Sequence, residues 1–416
     1  MTTREVVRKR QLAAACQLEY TMLVVSTLGL VALGLVMVFS ASSARSQLGG
    51  GDAYTLLIRQ GIWAGVGVGA LLLLSRVDFR ALRRLALPLL VVSFLLLLAV
   101  PLIGTTVNGA KRWLTFGPIS LQPSELIKLT LLLWVAAYVT SRKRPPQTIG
   151  QLLKPIGIVT ILAAGMVLVQ PDLGTAIALL VGVAAIMLVS GTPIRVLAIT
   201  GATTISLGVL AIWLEPYRRE RVFSFLNPWA DPQDTGFQPI QAMLALGSGG
   251  WLGNGLGESV KRAYYLPESS TDMIFAIVGH ELGFVGCAVV VLLFATFGWA
   301  GFSIAIRCQD PFGKRVAAGV TALVLGQAAI NLCAVMGLAP LTGIPLPFVS
   351  YGGSSLLIKL AAVGILLNIA TSHGKSSAHA QVPDRRRRDS RPRPARDRDR
   401  RVADRPRRVG ELRRLA

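Results

Sequence analysis

The chain has 416 residues, 52% hydrophobic and only 15% charged, and yet carries a formal net charge of +22. Soluble globular domains hold about 25% charged residues, so the composition excludes an ordinary soluble enzyme, a disordered chain, a disulfide scaffold and a nucleic-acid-binding globule. An apolar chain this basic must keep its two characters in separate places.

A bilayer core about 30 Å thick needs roughly 20 apolar residues per helix. Runs of that order begin near Tyr20, Leu56, Leu85, Leu121, Ile156, Leu173, Ile194, Asp272, Val316 and Gly352. They predict an all-α, polytopic integral membrane protein of about ten transmembrane helices. The first run, Met22 to Phe39, is too long for a cleavable signal peptide, and Ser40-Ala41-Ser42 alone is weak evidence for cleavage. The fifth and sixth runs divide at Gln170-Pro171-Asp172-Leu173-Gly174. The spans define a transmembrane domain over 20–371, preceded by a short cytoplasmic segment, 1–19.

Orientation follows from where Lys and Arg collect. With Arg4, Arg8, Lys9 and Arg10 inside, the inner loops are Arg76–Arg84, Arg142–Lys154, Arg195 and Arg307–Arg315. Together these inner segments hold 16 basic residues against nine outside. Both termini are therefore expected in the cytoplasm. Cys16 and Cys308 then fall inside and Cys287 and Cys333 within spans, so no disulfide framework is implied.

From Ser372 the composition changes to Arg, Pro and Asp with almost no apolar residues. Such a segment, 372–416, cannot bury a core and is expected to be a disordered cytoplasmic tail. Anionic lipid headgroups and an acidic partner protein both suit its charge. No aromatic interleaving supports nucleic acid.

The chemistry is expected in the outer segments. The longest, about 215–271 between the seventh and eighth spans, exceeds the roughly 15 residues beyond which loops are usually functional or disordered. It is not disordered by composition, holding Phe223, Phe225, Trp229, Phe237, Trp251, Tyr264 and Tyr265, and Phe237–Leu246 reads as a short interfacial or re-entrant helix. Arg218, Arg219 and Arg221 enter it, Lys261 and Arg262 lie near its exit, and Lys111 and Arg112 occupy the loop Gly104–Leu121. These cations run against the topology bias. Phosphate or pyrophosphate recognition and local pairing with Glu215, Glu220, Asp231 and Asp234 explain them equally well.

Asp272 follows Ser269-Ser270-Thr271 and precedes the apolar run Met273–Val278. It reads either as a capping acid at a helix N-terminus or as a general base at the water–lipid boundary. Glu281 is nine residues on, near the opposite side of a helix, and so is not its acid–base partner. Within the spans, Glu125 and Lys128 share a face and can neutralise each other. Gln327 and Asn331 read as helix–helix hydrogen bonds. Lys359 lies near mid-membrane and needs a partner, with Glu125 or a cavity as candidates. A lone His280 makes no metal site, no phosphate-binding loop points to ATP, and no cofactor is evident; a divalent cation is possible but not indicated.

These residues sit in stretches that resemble the SEDS (FtsW/RodA/SpoVE) family of bacterial cell-wall proteins, the division branch more than the elongation branch. The stretches are Asn108–Leu114, Leu121–Lys128, Gln170–Thr175, Arg218–Gly236, Tyr265–Asp272 and Gly343–Ser355, in the order of the ten spans. The resemblance implies a peptidoglycan glycosyltransferase that polymerises lipid II at the outer face of the cytoplasmic membrane, enriched at the septum and partnered by a class B penicillin-binding protein and other division proteins. By position it implies Asp272 as the catalytic acid residue. It further implies substrate contacts at the outer cations and along the motifs at Glu125, Lys128, Ser350 and Ser354. Three positions depart from the pattern: Tyr264 and His280 stand where many relatives carry Glu, and Lys359 lies outside it. A lipid II flippase or other transporter, a non-catalytic scaffold and an elongation-type polymerase are the alternatives. A transporter should show internal repeats; none is evident, although Pro171 and Pro345/Pro347 interrupt both halves.

Overall fold

The computed structural model describes residues 3–46, 53–107, 110–117, 119–142, 144–214, 216–257 and 270–379. Among the described residues, nine helices are long and apolar enough to cross a membrane, and a tenth apolar helix, α6 (Leu173–Val189), is 17 residues long. In chain order the others are α1 (Thr3–Ser46), α2 (Ala53–Arg76), α3 (Phe79–Ile103), α4 (Pro123–Ser141), α5 (Ile149–Val169) and α7 (Ile194–Leu214). There follow α8 (Pro216–Leu226), α9 (Phe237–Ser248), α10 (Ile274–Arg307), α11 (Pro311–Val335) and α12 (Gly353–His379). Each apolar run of the sequence becomes a helix, including the pair divided at Gln170–Gly174. That division has a local cause, because Asp172 caps α6 by accepting from Thr175 N at 2.9 Å. Asp310 opens α11 in the same way, accepting from Phe312 N and Gly313 N at 2.9 Å each.

Two features add to the all-helical expectation. The loop after α3 forms a small antiparallel meander of β1 (Thr105–Val107), β2 (Ala110–Phe116) and β3 (Ile119–Leu121), paired in that order. And α12 continues past Ser372 to His379, so the helix enters the stretch expected as a tail; residues 380–416 lie outside the described residues.

The bundle core is built from α4, α6, α11 and α12. Leu131, Leu132, Leu179, Ile186, Val316, Val320, Leu360 and Leu366 are all buried there. Small residues let α6 and α11 approach: a Cβ on Gly182 would lie 3.4 Å from the Gly319 carbonyl, and one on Gly319 would lie 3.5 Å from that of Gly182. Leu87, Leu95 and Leu102 of α3 and Ile205 and Leu207 of α7 are exposed. Outward apolar side chains on long apolar helices are the surface a lipid bilayer covers. Helices α1 and α10 run antiparallel, tied at one end by Arg307 to Glu19 at 3.0 Å and at the other by Ser40 to Glu281. Ser40 thus lies within a continuous helix and anchors it to α10.

Candidate active site

Helix α11 organises the site through two amide side chains one turn apart. Gln327 Nε2 donates to the Pro345 carbonyl at 3.1 Å, and its Oε1 accepts from Lys128 Nζ at 3.2 Å. Asn331 Nδ2 donates to two carbonyls at 2.8 Å each, those of Asp272 and Ile344. Gln327 thus makes the helix–helix bond the sequence suggested, to Lys128 of α4, and both amides also bind backbone outside the helices. They hold the non-helical segment between α11 and α12 and Asp272, two residues before α10. An unwound stretch inside a bundle must have its backbone groups satisfied by side chains, and the same segment shows how. Ser350 Oγ accepts from Leu346 N at 2.8 Å, and Gln60 of α2 donates to the Ser350 carbonyl and accepts from Gly352 N at 3.3 Å each. Tyr351 N donates to the Ser270 carbonyl at 2.9 Å, drawing the turn that carries Asp272 onto this segment. Phe348, buried to 2%, has φ of 66°, a strained conformation held by its surroundings.

Asp272 itself is partly exposed at this junction. Its Oδ1 accepts from Thr271 Oγ1 at 3.1 Å. Its Oδ2 faces Gly343, 3.8 Å from where a Cβ there would stand. The N-cap of α10 is Met273, not Asp272, so the capping reading does not describe where this acid sits. Behind it every residue from Met273 to Glu281 is buried.

That buried turn of α10 ends at Gly283, whose φ of 65° and ψ of −160° break the helix. The break leaves backbone groups to be satisfied, and the glycine-rich stretch after α9 satisfies them. Asn254 N and Gly255 N donate to the carbonyls of His280 and Glu281, while Phe284 N and Val285 N donate to those of Gly250 and Trp251. Contact is so close that a Cβ on Gly253 would lie 2.0 Å from the Glu281 carbonyl. His280 Nδ1 meets Ser248 Oγ at 2.8 Å and Asn254 Nδ2 at 3.1 Å. The Glu281 carboxylate accepts from Ser40 Oγ at 2.7 Å and Gly257 N at 3.3 Å. Glu281 is thus locked to α1, consistent with its placement away from Asp272. Helix α9, expected as interfacial or re-entrant, packs on this turn with Ile240, Ala242 and Ala245 buried.

One turn earlier on α11, at Gln327, lies a buried charge cluster. Lys128 Nζ is 2.7 Å from Glu125 Oε1, and Lys359 Nζ is 3.9 Å from Glu125 Oε2. Lys359 also donates to Ser355 Oγ. Exposure is 2% at Glu125 and Lys128 and 7% at Lys359. The partner of Lys359 is therefore Glu125, shared with Lys128. Two of the residues expected to touch substrate are here engaged with each other and closed to it.

The remaining candidates divide. Arg112 is engaged with backbone, its Nε donating to the Gln170 carbonyl at 2.9 Å and its Nη2 to that of Pro171 at 2.7 Å. It closes the α5–α6 turn; a cation placed for phosphate in the sequence reading has a carbonyl partner instead. Lys111 is exposed and reaches the Pro101 carbonyl at 3.3 Å, and Arg219 is exposed on α8. Ser350 and Ser354 are buried, the latter accepting from Gln122 N at 3.2 Å, so both bind backbone rather than open onto a cleft. The side chains of Arg218 and Arg221, and Lys261 and Arg262 entirely, lie outside the described residues. Among the described residues no group of three His, Cys, Asp or Glu converges as a metal site.

Fold and site define a multi-pass membrane protein with a partly exposed acid at one end of its bundle and a closed ion cluster behind it. The chain belongs to the FtsW/RodA/SpoVE family of cell cycle proteins, whose model matches residues 20–375. A probable peptidoglycan glycosyltransferase FtsW from Geobacter metallireducens is 40% identical over 346 residues, 82% of this chain and 92% of its own length. The stage V sporulation protein E of Bacillus subtilis is 40% identical over 352 residues, 84% of this chain and 96% of its own. Among solved structures, a chain of a peptidoglycan synthase complex that coordinates polymerization and crosslinking is 32% identical, with a TM-score of 0.71 over 84% of this chain and 97% of that one. The rod shape determining protein RodA of Thermus thermophilus is 31% identical, with a TM-score of 0.62 over 84% of this chain and 96% of that one.

Proposed function

We infer that this protein is a peptidoglycan glycosyltransferase that polymerises lipid II into β-1,4-linked glycan strands at the outer face of the cytoplasmic membrane, during septal wall synthesis. Family membership over 20–375 supports the activity. The observation that carries the assignment of the site is Asp272: a carboxylate at an accessible edge whose backbone is fixed by Asn331.

In this reading Asp272 removes the proton from the acceptor sugar's 4-hydroxyl as that oxygen attacks the donor's anomeric carbon. The bond from that carbon to the pyrophosphate oxygen breaks, and undecaprenyl pyrophosphate leaves. An α-linked donor becomes a β-linked product, so the step inverts. Proton removal by a positioned base contributes about 10²–10⁴-fold. The leaving group gains negative charge, which cations stabilise in a site shielded from water. Exposed Lys111 and Arg219 are the described cations suited to that task. A class B penicillin-binding protein would cross-link the product, in keeping with the similarity to a chain of a peptidoglycan synthase complex. Anionic lipid or an acidic division protein would hold the basic tail.

Purified full-length protein in detergent, given labelled lipid II with and without its cognate transpeptidase, tests the reading. Glycan strands together with released undecaprenyl pyrophosphate are expected. Movement of lipid II across a reconstituted bilayer without polymer would favour the transporter instead.

A further inference from the structure

A cavity of about 320 Å³ lies between the α8–α9 segment and the end of α11, within the range of about 300–1,000 Å³ typical of small-molecule sites. Among the described residues no Lys, Arg, Asp or Glu lines it. Its lining includes the apolar residues Met243, Ala334 and Leu341. Trp229, which is 62% exposed, and the amide residues Asn227 and Gln238 also line it. The cradle is fixed from within. Ser224 Oγ donates to the Thr235 carbonyl at 2.7 Å, and Gly236 is so tightly held that a Cβ there would lie 1.9 Å from the Pro228 carbonyl.

The lining selects a chemistry. Without a charged side chain among the described lining residues, it does not suit a pyrophosphate or a carboxylate. A hydrocarbon chain would lie against the amide residues Asn227 and Gln238 without offering them a hydrogen-bond partner. A neutral sugar satisfies both demands. One face of an N-acetylhexosamine ring presents C–H bonds to the negative face of an indole, and its hydroxyls and acetamide match amides that both donate and accept.

Two of the lining residues are near in the chain to residues that contact Asp272. Ala334 is one helical turn beyond Asn331, which holds the Asp272 carbonyl, a rise of about 5 Å along the axis. Leu341 is two residues before Gly343, which the Asp272 carboxylate faces.

We propose that this cavity is a saccharide subsite, holding a neutral N-acetylhexosamine of the glycan next to the sugar that reacts at Asp272. The inference rests on the glycosyltransferase reading and extends it: a polymerase that grips the sugar beside the reacting one retains its strand between additions, so the subsite governs strand length.

The test uses full-length protein in detergent and two readouts. The first is saturation-transfer NMR with a lipid-free β-1,4-linked N-acetylglucosamine tetramer. The wild type should show transfer to the sugar, and Trp229→Ala and Gln238→Ala should weaken binding by roughly three- to tenfold, the scale of one lost aromatic contact; Trp229→Phe should restore most of it. The second is strand length from labelled lipid II, which should shorten in Trp229→Ala and recover in Trp229→Phe. Sugar binding that is indifferent to both alanine variants, or strands of unchanged length, would overturn the subsite. So would transfer to undecaprenyl phosphate in place of the sugar. Should the wild type make no polymer yet bind the tetramer through Trp229, the subsite would stand and the polymerase reading would fall.

Discussion

Glu125 and Asp272 both depend on α11, and they are held in opposite ways. Glu125 is 2% exposed, and its carboxylate is gripped directly by Lys128 at 2.7 Å and Lys359 at 3.9 Å. Asp272 is partly exposed; Asn331 donates to its backbone carbonyl at 2.8 Å, and its carboxylate accepts from the neighbouring Thr271 Oγ1 at 3.1 Å. A charge deep in a membrane protein survives only when partnered, so the carboxylate of Glu125 is committed to structure. A reacting carboxylate must meet a substrate, so its position has to be fixed from the main chain. The two amides one turn apart on α11, Gln327 touching Lys128 and Asn331 touching Asp272, join these arrangements through a single helix.

The largest effect should come from breaking the closed cluster. Glu125→Ala leaves two buried lysines without their carboxylate, and losing one partner of a buried pair costs about 3–5 kcal/mol. Thermal unfolding in detergent should show a large loss. Lys359→Met, which preserves the 2.7 Å Lys128–Glu125 pair, should lose far less. Equal losses would mean that the cluster is not organised around Glu125.

Asn331→Ala should strike activity harder than stability. Displacing a catalytic group by about 1 Å can lower the rate by on the order of 10²-fold, and the decrease should appear in kcat with KM nearly unchanged. A variant that melts earlier but polymerises lipid II at the wild-type rate would reduce Asn331 to a staple for the segment before α12.

A smaller effect is expected at the helix break. Gly283→Ala would force a side chain into a conformation that only glycine adopts easily, with its Cβ 2.3 Å from Gly253 N. Strain of this kind costs about 1–3 kcal/mol, and hydrogen exchange should locate the loosening at residues 249–257 and 279–285. Unchanged exchange there would show that the glycine-rich stretch is not what supports the buried turn behind Asp272.

The helices were legible because a membrane span announces itself: every apolar run became one, and even the division at Gln170–Gly174 carried its own capping Asp172. The meander Thr105–Leu121 was not, since its outer strands are three residues each and too short to show alternation. Asp272 stood out by its place before an apolar run, but its clamp did not. Asn331 is 59 positions away in sequence, and its carboxamide becomes informative only once α11 is seen to border an unwound segment. Lys359 and Glu125 were both visible as buried charges, and only the packing of α4 against α12 makes them partners. Arg112 shows the converse failure. A guanidinium in a loop carries the same signal whether its partner is a phosphate or, as here, two carbonyls.

The most direct measurement is lipid II polymerisation and thermal unfolding on one preparation of Asp272→Asn. This substitution preserves shape and the backbone clamp while removing the base. The account predicts an unchanged melting temperature with polymer formation reduced by about 10²–10⁴-fold. Polymer at the wild-type rate from a folded Asp272→Asn protein would contradict it.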